Sequence, residues 1–295
     1  MPSKAYIALV IATLCWGGNT VAGKLAVGHI SPMAFTFLRW VLAVAIIFAI
    51  SVPQLIKDWP VVKKRLPYFF VLGSVGYTAF NVFLYTSLKY TSAINVAVIQ
   101  AGIPMVIFVL NFILFRTRVL FGQIAGFCLT IAGVALLASH GDPVSLLSLE
   151  MNTGDAIMLL AVLVYAIYTV ILRWKPVVDW RTLMAIPAFF ALISSVPLIF
   201  WEVAQDTAVW PDQTGWVLVF YAGIFASLVA QIFFIKGVEQ IGANRAGLFI
   251  NLVPVFGTLL SVVVLSETLH TYQIVALVMA LAGIAVAERK KSPAT

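Results

Sequence analysis

The stretch GQIAGFCLTIAGVAL at residues 122–136 returns 150 residues later as YQIVALVMALAGIAV at 272–286, with Gln123/Gln273, Ile124/Ile274, Ala132/Ala282, Gly133/Gly283 and Ala135/Ala285 in register. The register extends outward without a gap. Gly73 meets Gly223, Ala93 meets Ala243, Pro104 meets Pro254 and Leu110 meets Leu260. A shift of 149 aligns the first segments of the two copies, pairing Thr20 with Thr169, Val21 with Val170 and Lys24 with Arg173. Apolar composition alone produces chance identities, but prolines and glycines recurring at fixed spacing are a structural signal. The chain reads as two copies of one unit, residues 1–140 and 150–291.

The solvent of that unit follows from composition. Of 295 residues, 62% are hydrophobic and 10% charged, with a mean hydropathy of +1.06. Soluble domains are about 45–50% apolar and about 25% charged. Too little polar surface remains to cover a fold of this length in water, so the bilayer is the expected surrounding. A membrane helix needs about 20 mostly apolar residues. Runs of that kind lie at about 5–27, 32–52, 67–88, 92–114, 119–138, 155–173, 182–202, 215–236, 243–265 and 271–287, with breaks marked by prolines such as Pro32, Pro53, Pro60, Pro67, Pro176 and Pro211. Lys4 and the small residues at 26–28 would suit a cleaved leader, but the first run exceeds a signal core of about 7–15 residues and is expected to be a retained span.

The net charge of +7 is spread between the runs instead of gathered in a patch, which speaks for membrane topology and against nucleic acid. With the N-terminus in the cytoplasm, fifteen of the 18 Lys and Arg residues fall on inner segments and two, Lys24 and Lys89, on the outer side, leaving Arg39 within a span. Both termini are expected to be cytoplasmic. Five spans per copy is an odd number, so the second copy enters the membrane from the opposite side. The predicted fold is therefore all-α, ten transmembrane helices in two inverted five-helix repeats, the plan that many secondary transporters use to alternate access to a midplane site.

Other readings are excluded along the way. Residues 16–24, WGGNTVAGK, contain G-x-x-x-x-G-K, but Leu25 stands where a nucleotide loop needs Ser or Thr, and the segment spans a bilayer. No inner segment is large enough for an ATPase. Cys15 and Cys128 lie in apolar runs and read as small buried residues. Histidines confined to one surface and carboxylates at span ends (Asp155, Glu202, Glu239, Glu267) argue against an intramembrane enzyme, a metal centre or a cofactor. No carboxylate lies deep in a span, which disfavours proton-for-cation antiport. A non-transporting receptor would have no use for an inverted repeat.

The ten runs, the two five-span copies, the Trp-Gly motif in the first run and LSETLHTYQIVALVMALAGIAVAER at 265–289 resemble the EamA type of the drug/metabolite transporter superfamily, over nearly the whole chain. Within it the sequence is most similar to the YddG-type bacterial amino-acid exporters. The resemblance implies a multi-pass protein of the bacterial inner membrane that exports small amphiphilic metabolites, amino acids including aromatic ones first, with other metabolites or drugs as the alternative.

Helical spacing nominates the path. Residues at i, i+3, i+4 and i+7 share a face. Stripes of this kind are Thr13, Trp16, Asn19, Thr20 and Gly23; Ser74, Tyr77, Asn81 and Tyr85; Met158, Tyr165, Tyr168 and Thr169; Ser227 and Gln231; and Asn244, Gly247, Asn251, Pro254, Thr258 and Ser261. Such stripes can glue helices or line a wet cavity. The expected substrate-binding set is Trp16, Asn19, Arg39, Tyr77, Asn81, Tyr85, Gln100, Tyr165, Tyr168, Gln231 and Asn251. Arg39 could attract a substrate carboxylate or serve as a structural partner for carbonyls. Pro104 and Pro254 are expected hinges, with Gly17 and Gly18, which also suit a close helix approach. Gly122 and Gly126 form G-x-x-x-G, read as internal packing with a dimer seam as the alternative. The expected partners are a small-molecule substrate and the lipid bilayer, with the chain a monomer.

Overall fold

The computed structural model describes residues 2–116, 121–142 and 152–288, and it is helical throughout those residues apart from short connections. The helices are α1 (Pro2–Leu25), α2 (Pro32–Val62), α3 (Leu66–Ser87), α4 (Ala93–Phe115), α5 (Phe121–Ala138), α6 (Thr153–Trp174), α7 (Trp180–Ala204), α8 (Gln213–Ile241), α9 (Ala243–Ile250 and Leu252–Leu265) and α10 (Thr271–Glu288). Seven of them, α1 to α4 and α6 to α8, are long and apolar enough to cross a membrane. Shorter apolar helices, Ile124–Leu137, Leu252–Leu265 and Thr271–Val286, lie within α5, α9 and α10. Arg118, Arg289, Lys290 and Lys291 of the basic count lie outside the described residues, and so does the side chain of Asn244.

Irregularities recur at the repeat spacing. Residues Leu72–Ala79 of α3 and Tyr221–Val229 of α8 are wound as π-helix, 150 residues apart to within one position. Gly73 and Gly223 sit in these segments. A Cβ at Gly73 would lie 2.3 Å from the Pro187 carbonyl of α7, and one at Gly223 would lie 2.9 Å from Leu42 of α2. Each copy's π segment therefore presses backbone-close onto the long helix of the other copy. Two further matched breaks interrupt α4 at Ala101-Gly102 and α9 at Asn251, just ahead of Pro104 and Pro254. Proline has no N–H to give the preceding turn, so it fits best at the start of a new helical segment.

The α2–α7 pair is closed by reciprocal caps. Asp58, near the end of α2, accepts from the Asp179 backbone N–H (3.1 Å) and the Thr182 hydroxyl (2.6 Å) at the start of α7. Glu202, near the end of α7, accepts from the Ser31 hydroxyl (2.5 Å) and the Ala34 backbone N–H (3.2 Å) at the start of α2. Each carboxylate thus sits on the positive end of the other helix and satisfies donors that helix cannot satisfy itself. The two helices must run antiparallel for this to happen.

Several expectations are corrected. Pro53 and Pro60 do not end α2, which continues through both to Val62. Unwinding at either proline would expose further backbone groups to an apolar surrounding, and the Asp58 cap holds the far end in place. Cys15 is buried as expected, but Cys128 is exposed on the outward face of α5, where a small apolar side chain meets lipid at little cost. The small-residue face of α5 packs against α10: a Cβ on Gly283 would lie 2.6 Å from the Gly126 carbonyl. Asp155 and Glu202 do lie at helix ends, yet both are buried. In the connection before α8, Asp212 accepts from the Gly215 N–H (2.8 Å) and pairs with His29 (2.6 Å). Those bonds, the backbone one foremost, hold its carboxyl below the usual range.

Overpacking at a backbone-limited contact is destabilising by about 1–3 kcal/mol. Gly73→Val should therefore lower the thermal unfolding midpoint in detergent clearly. Gly247→Ala, where an added Cβ meets nothing within 4 Å, should leave it unchanged or raise it, since Ala is favoured over Gly in helices by about 1 kcal/mol. Equal midpoints for both variants would refute this packing.

Candidate functional site

Arg39 lies about two turns into α2 with 3% of its surface exposed. An ionised side chain in that position must find every partner inside the protein. Its Nη1 donates to the Asn81 Oδ1 (2.5 Å) and to the Tyr85 hydroxyl of α3. Nε and Nη2 donate to the Ser227 Oγ of α8 at 3.2 and 2.7 Å, and Nη2 also reaches the Ala222 carbonyl at 3.4 Å. The guanidinium carbon stands 5.2 Å from the Trp40 ring centre and 5.8 Å from that of Tyr85. All hydrogen-bond acceptors are neutral, and no carboxylate pairs with Arg39 among the described residues.

The network spreads from there to a fourth helix. The Tyr85 hydroxyl donates to the Asn19 Oδ1 of α1 at 3.0 Å, and the Asn81 amide donates to the Tyr77 carbonyl at 2.6 Å. Asn19, Asn81 and Tyr85, nominated from their spacing, and Arg39, nominated as a charge within a span, are thus one connected group with Ser227. The Ala222 and Ala226 carbonyls belong to the π segment of α8, whose wider turns leave carbonyls available to side chains. Ala222 accepts from Arg39 and Ser227, and Ala226 accepts from the Trp16 indole at 3.1 Å.

A second cluster is aromatic. Tyr77 stacks on Trp40 at 4.9 Å and 7°, Tyr168 lies 5.8 Å from Tyr77 and 5.4 Å from Tyr165, and Phe80 lies 4.8 Å from Tyr165. It adjoins the arginine through Trp40, which sequence spacing did not nominate. Trp40 directly follows Arg39 on a helix of largely apolar residues, and nothing local sets it apart. Buried atoms without a hydrogen-bond partner among the described residues include Trp40 Nε1, Ser74 Oγ, Gln100 Oε1 and Thr258 Oγ1. Native interiors leave few such atoms, so each calls for an explanation.

The remaining nominees are dispersed. Trp16 packs on Phe234 at 5.4 Å, facing α8. Gly17 and Gly18 lie inside the continuous α1. A Cβ would meet the Gly257 nitrogen of α9 at 2.8 Å from the first and the Tyr221 hydroxyl of α8 at 2.2 Å from the second. Gln100 and Asn251 stand at the matched breaks of α4 and α9, and Gln231 is half-buried one turn after Ser227. Thr13, Thr169 and Ser261 hydrogen-bond carbonyls of their own helices, which removes them from the cross-helix network. A small cavity of about 70 Å³ reaches Tyr85 from the α1–α2 connection, between Gly23, Ser31, Phe35 and Val209. That is room for a few waters and not for a metabolite.

Residues 3–139 and 152–288 each match the EamA-like transporter family. The uncharacterized transporter YyaM of Bacillus subtilis (strain 168) is 27% identical over 96% of this chain and 92% of its own length. An uncharacterized transporter of Archaeoglobus fulgidus is 24% identical over 98% of this chain and 100% of its own. A chloroplastic WAT1-related protein of Arabidopsis thaliana is 25% identical over 91% of this chain and 66% of its own. A solved crystal structure at 22% identity aligns over 98% of both chains with a TM-score of 0.64, which is a likeness of fold.

If Arg39 and Tyr85 act as one unit, their removal is not additive. In a cycle of Arg39→Met and Tyr85→Phe, the coupling in unfolding free energy should be about 1 kcal/mol or more. Arg39→Met with the distant Tyr272→Phe should be additive within about 0.5 kcal/mol. Additivity in the first cycle would contradict the network.

Proposed function

The chain belongs to the EamA-like transporter family, and from that premise we propose that it is a secondary exporter of small amphiphilic metabolites, amino acids foremost, aromatic ones included. The ten helices act as two inverted repeats, 1–140 and 150–291, in a bacterial inner membrane with both termini in the cytoplasm. The observation that carries the substrate class is Arg39, a buried positive charge between helices of both halves with only neutral acceptors around it. A substrate carboxylate offers that guanidinium a charged, bidentate partner in place of the Ser227 hydroxyl and the Ala222 carbonyl. A cationic substrate would add to the uncompensated charge.

The other residues take roles that fit this centre. Tyr77, Tyr165, Tyr168 and Trp16 offer aromatic walls to an apolar side chain, and the unpartnered Trp40 Nε1, Ser74 Oγ and Gln100 Oε1 are sites for polar groups of the substrate or its water. Asn81, Asn19, Gln231 and Asn251 complete the polar lining. Alternating access requires that the two ends of the molecule open in turn. The matched breaks ahead of Pro104 and Pro254 supply bending points, Gly17 and Gly18 let α1 shift against α8 and α9, and the Asp58 and Glu202 caps clasp opposite ends of the α2–α7 pair. In this reading one cap is released while the other holds. Transport of this kind breaks no covalent bond and calls for no cofactor.

Protein reconstituted in liposomes should equilibrate radiolabelled amino acids without ATP. Losing a charge-assisted bond of about 1.5–3 kcal/mol corresponds to roughly 10- to 150-fold in affinity. Arg39→Met should reduce flux at limiting substrate by at least the lower figure, with smaller losses for Tyr77→Ala, Asn81→Ala and Gln231→Ala. No flux for any common amino acid, or full flux in all four variants, would defeat the proposal.

A further inference from the structure

Among the described residues, Asp155 is the one buried carboxylate not used to cap another helix. It stands in the first turn of α6, behind the N-cap Asn152, with no exposed surface. Its Oδ1 accepts from the Thr91 hydroxyl at 2.6 Å, and its Oδ2 accepts from the Asn95 amide at 3.3 Å. Asn95 in turn accepts from the Gln273 amide of α10 at 2.8 Å. Thr91 and Asn95 lie at the start of α4, so a single carboxylate joins the opening helix of the second copy to two helices that meet at this end.

Above this group lies an open cleft of about 590 Å³, lined by Thr91, Asn95, Asn152, His140, Tyr272 and Gln273. The carboxylate is one side chain away from solvent, behind a hydroxyl that can pass a proton. The charged and titratable groups around it come from every neighbouring element. Lys24 of α1 is bound to the Leu88 and Thr91 carbonyls at 2.9 and 2.7 Å. Glu267, ahead of α10, is bound to the Ala93 and Ile94 N–H groups at 2.9 and 3.0 Å. Lys89 and His270 also line the cleft. His140, after α5, and Tyr272, on α10, interact with Asp155 electrostatically. No cation forms an ion pair with Asp155 among the described residues. A buried carboxylate without a cation can keep its partners or take up a proton, and the two forms bond differently: ionised it only accepts, protonated it must also donate.

We propose that Asp155 is a proton-binding site, loaded from the cleft through the Thr91 hydroxyl, and that its occupancy sets the hold of α6 on α4 and so makes the transport rate depend on pH. The incoming proton comes from solvent water, Thr91 hands its own proton to Oδ1 and recovers one from the cleft, and no other co-reactant is needed. The linkage to flux rests on the transport reading; the proton site itself does not.

Infrared titration of the substrate-free protein in lipid tests the site directly. The carboxylic-acid C=O band should grow as pH falls, lose a component in Asp155→Asn, and keep it in Asp155→Glu and in His140→Gln. In liposomes the wild-type flux should change about tenfold across the pH range in which that component titrates, and Asp155→Asn should flatten the profile while still transporting. Identical infrared titrations of wild type and Asp155→Asn, or a wild-type pH profile of flux in Asp155→Asn, would overturn the proposal. Absence of any wild-type flux would count against the transport reading alone, and the infrared result would still decide the site.

Discussion

A guanidinium enclosed among apolar helices, with no carboxylate to answer it among the described residues, is the constraint around which this molecule is arranged. Removing such a charge from water is destabilising by several kcal/mol unless hydrogen bonds and polarisable surfaces replace the lost hydration. Arg39 meets that demand with Asn81 and Tyr85 from α3, Ser227 and Ala222 from α8, and the faces of Trp40 and Tyr85. Every one of these partners is neutral. The arrangement therefore stabilises the charge without cancelling it, which is what the proposed entry of a substrate carboxylate requires.

The same demand shapes the rest of the fold. In lipid no water is available to take over an orphaned backbone group, so each irregularity must have an internal partner. The π segment of α8 supplies carbonyls that Arg39, Ser227 and Trp16 use. The first turns of α2 and α7 have carboxylates from each other's far ends, and the first turn of α4 has Glu267. The π segments, the helix breaks and the caps each occur twice, once in each copy. In the proposed transport cycle, that pairing would give the two ends equivalent polar contacts to release and re-form.

Much of this was legible in the sequence, and the reasons for the rest are physical. Periodicity and composition locate the helices, because lipid demands long apolar runs, and the 150-residue register of Pro104 and Pro254 marks the breaks of α4 and α9. Spacing also picks out Asn81, Tyr85 and Asn19, and charge within a span picks out Arg39, since polar side chains in such runs must turn inward. Local rules failed where a distant partner overrides them. Pro53 and Pro60 normally end a helix, but α2 runs through both, with Asp58 between them anchored to the start of α7. Asp155 and Glu202 sit at helix ends, where carboxylates are ordinarily solvated, and only their contacts with Thr91, Asn95, Ser31 and Ala34 bury them. A π turn has no local signature beyond the paired Gly73 and Gly223, and Trp40 is indistinguishable from the other large residues of α2.

The central claim is that the two ends of the α2–α7 pair open in alternation around Arg39. The direct test is pulsed electron paramagnetic resonance in lipid, on protein with Cys15 and Cys128 replaced and spin labels at exposed positions of the two ends. One pair, Val27 and Gln205, reports the end closed by Glu202, and the other, Lys57 and Val177, reports the end closed by Asp58. The account predicts two populations for each pair, shifting in opposite directions when substrate is added. A single unchanged distance at both ends, in protein that transports, would contradict it.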